Sequence, residues 1–306
     1  VWMGHTSDAT DGITQICLGC TLGNTPITAP EDAGAQNLPW AIGGIETDLR
    51  ANTTLFSAEG GRQSLVRYIS PEMWGFVFSA HWADESGDTA YDVPGSFGVN
   101  TDWDADNGDG WGVALRYANE WNGVRVAGGV GYRVSRNDGS GPVDPLRGNG
   151  AASVADDARE LGMSASFQHV ATGIYMSGAW GYEDNESSGA VGDYRDTVWN
   201  ITAGVNRKFH AMGRTNIGFY YTEWDTSAGT VGGVTYKGVE YATNGVDVQG
   251  FGFTVDQAID AAAMEVYLQY HNLQGEVKNA RNVEEDMGNL DTDDIHLFMM
   301  GARIKF

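Results

Sequence analysis

The chain has 306 residues and carries 18 Lys+Arg against 41 Asp+Glu, a formal net charge of −23. That excess excludes nucleic acid as a partner, because phosphates would be repelled. No apolar run of about eighteen residues exists, which excludes a helical membrane protein, while 43 glycines against 7 prolines and 42% apolar residues fit a folded β protein.

In chain order, Val1–Gly4 reads as the end of a strand, and residues 5–61 form the longest connection. This connection holds the acids Glu31, Asp32, Glu46 and Asp48, and both cysteines, Cys17 and Cys20. A zinc site would need further ligands at suitable spacing, which the sequence lacks, and a redox CxxC usually opens a helix between strands. A local disulfide fits an oxidising exterior, with free thiols as the alternative.

From residue 62 onward, period-2 alternation dominates. Strands are predicted near 62–70, 73–84, 110–121, 123–134, 157–170, 173–184, 195–209, 213–225, 246–257, 261–272 and 294–306. In 73–84, Trp74, Phe76, Phe78, Ala80 and Trp82 share a face opposite Gly75, Val77, Ser79 and His81. In 123–134, Val124, Val126, Val130, Tyr132 and Val134 oppose Arg125, Ala127, Gly129, Gly131 and Arg133. Ile217, Phe219 and Tyr221 oppose Asn216, Tyr220 and Thr222, and Met264, Val266, Leu268 and Tyr270 oppose Glu265, Tyr267, Gln269 and His271.

Short connections at 70–72, 121–123, 170–173, 209–213 and 257–261 alternate with long ones at 5–61, 85–109, 135–156, 185–194, 226–245 and 273–293. A membrane barrel segregates loop length in this way, with short turns at one rim and long loops at the other; a soluble sandwich has no reason to. Trp74, Trp82, Trp111, Trp121, Tyr132, Tyr182 and Trp224 fall near strand ends, as interfacial girdles require. The fold class is therefore all-β, a transmembrane antiparallel β-barrel forming a single domain over residues 1–306.

Other motifs are weak. Asp102, Asp104 and Asp106 are spaced like the first ligands of a calcium loop, but Asn107 and Val113 stand where Gly and a bidentate Glu belong. An external Ca²⁺ site is the sharper reading and an acidic turn without ion the plainer one; no other cofactor is expected. The six histidines include no HExxH pair, and His169, on the outward parity of its strand, has no Ser and Asn placed to complete a triad. No catalytic residues and no enzyme activity are expected.

The last strand, DDIHLFMMGARIKF, puts Phe298, Met300, Ala302, Ile304 and Phe306 on one face. It resembles the C-terminal strand of outer-membrane proteins, whose terminal Phe is read by the assembly machinery. VWMGHTSDATDGI at residues 1–13 resembles the strand end and start of the pore loop in alphaproteobacterial porins, and residues 61–83 resemble the next hairpin of general diffusion porins. The resemblance implies a bacterial outer-membrane location among lipid and lipopolysaccharide, a homotrimer, and a sixteen-stranded barrel of which the last twelve strands are present here. It also implies that 5–61 folds into the pore, with Glu46, Asp48, Glu31 and Asp32 facing wall arginines. Arg62 matches the family's strand-entry arginine, and Arg67 is a nearby candidate.

The expected function is a water-filled channel for passive diffusion of ions and small hydrophilic solutes. The small, mixed inward set of Gly, Ala, Ser, Asn and Arg favours an unspecialised pore; a substrate-specific channel is the alternative, and a structural or adhesive barrel a third option. The acidic excess suggests weak cation preference. Val1–Gly4 is too short to span the roughly 9–11 residues that a tilted strand needs. The chain is therefore expected to lack its N-terminal strands and to show a gap in the wall between Val1 and Phe306.

Overall fold

The computed structural model describes residues 1–21, 38–50, 60–84, 109–136, 155–187, 194–226, 234–282 and 284–304. The wall begins with β1 (Trp2–Ser7). Two short strands of the long connection follow, β2 (Pro39–Ile42) and β3 (Ile45–Arg50). Next come β4 (Arg62–Ile69), β5 (Phe76–Asp84), β6 (Asp109–Trp121), β7 (Val124–Arg136), β8 (Ala155–His169), β9 (Ile174–Ser187), β10 (Tyr194–His210) and β11 (Gly213–Thr226). The hairpin of β12 (Val234–Tyr236) and β13 (Val239–Tyr241) precedes β14 (Gly245–Ile259), β15 (Met264–Arg281), β16 (Asp286–Asp291) and β17 (Ile295–Ile304).

All neighbours along the wall are antiparallel, in the order β1-β4-β5-β6-β7-β8-β9-β10-β11-β14-β15. β17 lies beside the first half of β15 and β16 beside the second. The eleven full strands predicted from the alternation are present. β1 and β17 are not paired with each other, so among the described residues the wall is open along that seam.

Turn chemistry sets the short rim. Asn122 and Gly123 both adopt positive φ (49° and 76°) between β6 and β7, the conformation in which a two-residue turn follows the strands' own twist. Trp74 and Gly75 do the same before β5. Trp74 therefore belongs to the turn, not to a strand starting at 73, and its indole projects clear of the wall at 89% exposure.

The outer face carries Phe78, Leu115, Val130, Met163, Phe167, Met176, Ile201, Phe219, Phe251 and Leu268, all exposed as lipid-facing residues of a barrel must be. Near the long-loop rim, Trp199 Nε1 donates to Glu223 at 2.9 Å and the Tyr221 hydroxyl donates to the same carboxylate at 2.5 Å. Such amphipathic rings with a wet polar end mark the interface.

Beyond this level the polarity of the strands inverts. On β10, β11, β14 and β15 the inward residues become apolar (Val198, Trp224, Val246, Val248, Leu273, Val277), and the outward ones become polar (Arg195, Glu223, Asp225, Asp247, Gln249, Glu276, Lys278). The inward set packs with Trp40, Ile42 and Leu49 of the β2–β3 hairpin and with Val234, Tyr236 and Tyr241 of the β12–β13 hairpin, forming one water-excluded core. Trp224 is 1% exposed inside that core, so it is not a girdle residue. Likewise 273–293 is not a loop: β15 runs on to Arg281, and β16 returns beside it after a tight turn in which Asn282 Oδ1 accepts from the Glu284 and Glu285 amides. The sequence reading stopped these strands where the outward face ceased to be apolar, which is where the membrane ends rather than where the ladder ends.

Candidate functional site

The inner face is crossed by residues 8–21. Asp8 opens the segment as a local cap, its Oδ1 accepting from the Thr10 amide (2.8 Å), the Thr10 hydroxyl (3.0 Å) and the Asp11 amide (2.8 Å). Side chains of successive wall strands then hold the backbone. The Ala9 amide donates to His81 Nδ1 on β5 at 2.9 Å. Arg116 on β6 donates to the Ala9 carbonyl (2.9 Å) and the Asp11 carbonyl (2.8 Å). On β8, Ser164 donates to the Ile13 carbonyl, and Ser166 accepts from the Leu18 amide at 3.0 Å. Asn206 on β10 donates to the Gly19 carbonyl at 3.0 Å. Finally the Thr21 hydroxyl accepts from Asn216 on β11 (2.9 Å) and donates to Asp256 on β14. A segment of irregular backbone is tolerated at membrane depth only where its polar groups are satisfied by protein or water, and here the wall supplies them.

Inward glycines give this segment its seat. A Cβ on Gly129 would stand 2.7 Å from Ile13 Cδ1, and one on Gly131 would stand 3.0 Å from Thr10 Cγ2. The paired small residues of β7 are therefore a docking groove for Ile13. Cys17 and Cys20 are joined by a disulfide within the crossing segment.

Charge is ordered along a single line of strand register. Arg67 on β4, His81 on β5, Gly112 on β6, Arg133 on β7, Glu160 on β8, Glu183 on β9 and Asp196 on β10 are successive Cα partners. All lie on the inner face. Two arginines, Arg67 and Arg133, thus precede an acidic arc in the row, and the junction is the Arg133–Glu160 ion pair at 2.5 Å, with Asp8 3.6 Å from the same guanidinium. Glu160 is buried and Asp8 fully so. Paired in this way they are tolerable; stripped of the arginine, each would be a buried charge without compensation.

The sequence-predicted residues fare unequally. Arg62 has the parity of Ser64, Val66 and Tyr68, opposite to Gln63, Leu65 and Arg67, so it points away from the inner wall. Arg67 is the one on the inner face, donating to the Ser7 carbonyl at 3.1 Å. Strand alternation decides this, because two residues separated by an odd number face opposite sides. Glu46 and Asp48 lie on β3; Asp48 accepts from the Thr235 amide and hydroxyl, both at 2.7 Å. No ion pair joins either acid to Arg62 or Arg67 among the described residues. Glu31, Asp32 and the candidate calcium ligands Asp102, Asp104 and Asp106 lie outside the described residues.

The sequence reading missed Asp8, His81, Arg116, Glu160, Glu183 and Asp196 as site residues, and Arg133 was read only as one member of an inward face. Inward parity on adjacent strands was the signal that could have found all of them but Asp8, which lies beyond the end of β1. The inner wall is also bulkier than expected. Gly112, Ala114, Ser164 and Ser166 fit the small mixed set, but Tyr175, Tyr220, Tyr267 and His271 face inward on β9, β11 and β15, with Tyr220 and His271 hydrogen-bonded at 2.6 Å.

An apolar outer belt, an inner wall of ordered charge and a segment laid across it define a membrane β-barrel built around a polar interior. The family model for the Gram-negative porins matches residues 18–286, and the chain belongs to that family, which places it in the bacterial outer membrane. A search of curated proteins returns no match.

Among solved structures, the chain is similar to an anion-selective porin from Comamonas acidovorans (13% identity, 78% of this chain and 60% of that one, TM-score 0.44). It is also similar to OmpF of Salmonella typhi (14% identity, 79% and 63%, TM-score 0.43). A third is OmpT of Vibrio cholerae in its trimer form (14% identity, 98% and 74%, TM-score 0.46). The chain thus spans about 60% of the length of the Comamonas porin.

Proposed function

We propose that this protein forms a water-filled outer-membrane channel for passive diffusion of ions and small hydrophilic solutes, and that residues 8–21 are part of its constriction. The observation that carries the reading is the row from Arg67 to Asp196 on the inner face, with a hydrogen-bonded segment laid across the same wall. Arcs of opposite charge that adjoin on one wall set up a field along the inner face of a water-filled pore. Polar solutes align in such a field, and apolar ones must displace ordered water. In planar bilayers the full-length protein should give steady ohmic steps; silence from correctly folded barrel would refute the reading. The homotrimer implied by family membership belongs to the same proposal, and a monomeric band on native electrophoresis without boiling would count against it.

A second reading, a substrate-specific channel, is favoured by one observation: the bulky polar side chains of Tyr175, Tyr220, Tyr267 and His271 on the inner wall. Saturable block of the current by one solute class, absent for others of equal size, would decide for it.

A further inference from the structure

The crossing segment changes anchor strands within a few residues. Up to Ile13 it is held by β5, β6 and β8, all on the basic-to-acidic half of the wall. From Leu18 to Thr21 it passes from Ser166 on β8 to Asn206 on β10 and then to Asn216 and Asp256 on β11 and β14. The Cys17–Cys20 disulfide closes the four-residue turn that makes this passage.

Gly19, at the apex, lies so flat on the Tyr175 ring that an added Cβ would stand 2.1 Å from ring carbons. Tyr175 in turn lies over Gly204, whose Cβ would meet the phenol oxygen at 2.5 Å. Gly19, Tyr175 and Gly204 therefore form a three-deep stack on the inner wall, and Tyr175 is 1% exposed within it. Two of the anchors, the Leu18 amide and the Gly19 carbonyl, belong to the two residues enclosed by the disulfide, and the third, Thr21, is the residue directly after it.

We propose that the Cys17–Cys20 disulfide is a redox-operated clasp: small thiols reduce it, residues 18–21 then leave their seats on β8, β10, β11 and β14, and the pore changes its conductance. The inference rests on the channel reading above for its conductance consequence, but not for the movement itself. The chemistry balances by thiol–disulfide exchange. One thiolate of a small dithiol attacks a protein sulfur, which breaks the Cys17–Cys20 bond, forms a mixed disulfide and releases the other cysteine. The second thiolate then attacks the reductant's own sulfur in that mixed disulfide, so that the dithiol leaves as its disulfide and the protein, having gained two electrons and two protons, holds two thiols. Once cut, the turn is one of many conformations of a Gly-containing tetrapeptide, and the three anchors no longer share one rigid frame.

The test uses the full-length protein refolded in detergent and in bilayers, with dithiothreitol as the reductant and thiol alkylation followed by mass measurement to verify the redox state. Amide exchange at Leu18 should speed at least tenfold on reduction, while amides in the β6–β7 ladder stay unchanged. Single channels should acquire a second conductance level that disappears on reoxidation. The Cys17→Ser/Cys20→Ser variant should sit at that second level and ignore the reductant. Unchanged exchange at Leu18 in verified dithiol protein overturns the clasp, and so does an unchanged conductance in channels that conduct. Faster Leu18 exchange in a barrel that never conducts supports the clasp and overturns the channel reading on which its consequence rests. If the double variant does not fold, reversible reduction and reoxidation of the wild-type protein gives the same decision.

Discussion

Replacing Arg116 by Met keeps the length of the side chain but deletes its hydrogen bonds to the Ala9 and Asp11 carbonyls, at 2.9 and 2.8 Å. Hydrogen bonds from a charged donor are worth about 1.5–3 kcal/mol each when the partner is left without a substitute. Water can reach this half-buried site, so the lower figure applies to each, giving about 3 kcal/mol for the pair. The Ala9 amide to His81 and the Ser79 hydroxyl to the Ala9 carbonyl remain, so the segment should stay in place but open more often. At about 1.4 kcal/mol per tenfold change, its open population should rise on the order of 100-fold. Hydrogen exchange reads this directly: the Ala9 and Ile13 amides should lose about two decades of protection, and amides paired between β5 and β6 should lose none. Equal loss in segment and wall would mean that Arg116 supports the barrel rather than the crossing, and no loss in either would refute the anchoring argument.

Neutralising the acidic arc with Glu160→Gln, Glu183→Gln and Asp196→Asn should move the reversal potential under a KCl gradient toward anion preference; an unmoved potential would remove that arc from the permeation path. Arg67→Ala should change selectivity, and Arg62→Ala should not, because only the first faces inward; the converse result would reverse the face assignment of β4. Trp40→Ala in the rim core should cost the β2–β3 hairpin about 3–5 kcal/mol of its attachment, seen as faster protease cleavage within residues 38–50 while the heat resistance of the barrel is kept, and an unaltered cleavage rate would deny the hairpin its packing role.

The strands were legible because lipid enforces a simple rule: one residue in two must be apolar on the outside. That rule located β4 to β11, β14 and β17 to within a few residues, and the membrane-spanning half of β15. It failed where lipid is no longer the solvent. The β2–β3 hairpin carries a signal that could have been used, Gly43-Gly44 between Ile42 and Ile45, and both glycines take the positive φ of a two-residue turn (58° and 78°). Lys237-Gly238 marks β12–β13 in the same way. Arg62 was chosen from a family motif although the alternation through Val66 and Tyr68 put it on the other face. The charged row was the least legible feature, because its members are scattered from residue 67 to 196. Only the register of seven strands brings them into line, and single-strand patterns carry no register.

The inversion of polarity along β10, β11, β14 and β15 also fixes how deep the protein sits. Were this sector to sink by two residues, Glu223, Asp225, Asp247 and Glu276 would approach hydrocarbon, where each carboxylate so close to the interface costs up to about 1 kcal/mol. Were it to rise by the same step, Phe219, Phe251 and Leu268 would trade acyl chains for water, at about 25 cal/mol per Å² of apolar surface wetted. The same four strands therefore act as a float gauge, with two opposed solvents holding one waterline, so that bilayers of different thickness should deform to meet this sector before the sector shifts to meet them.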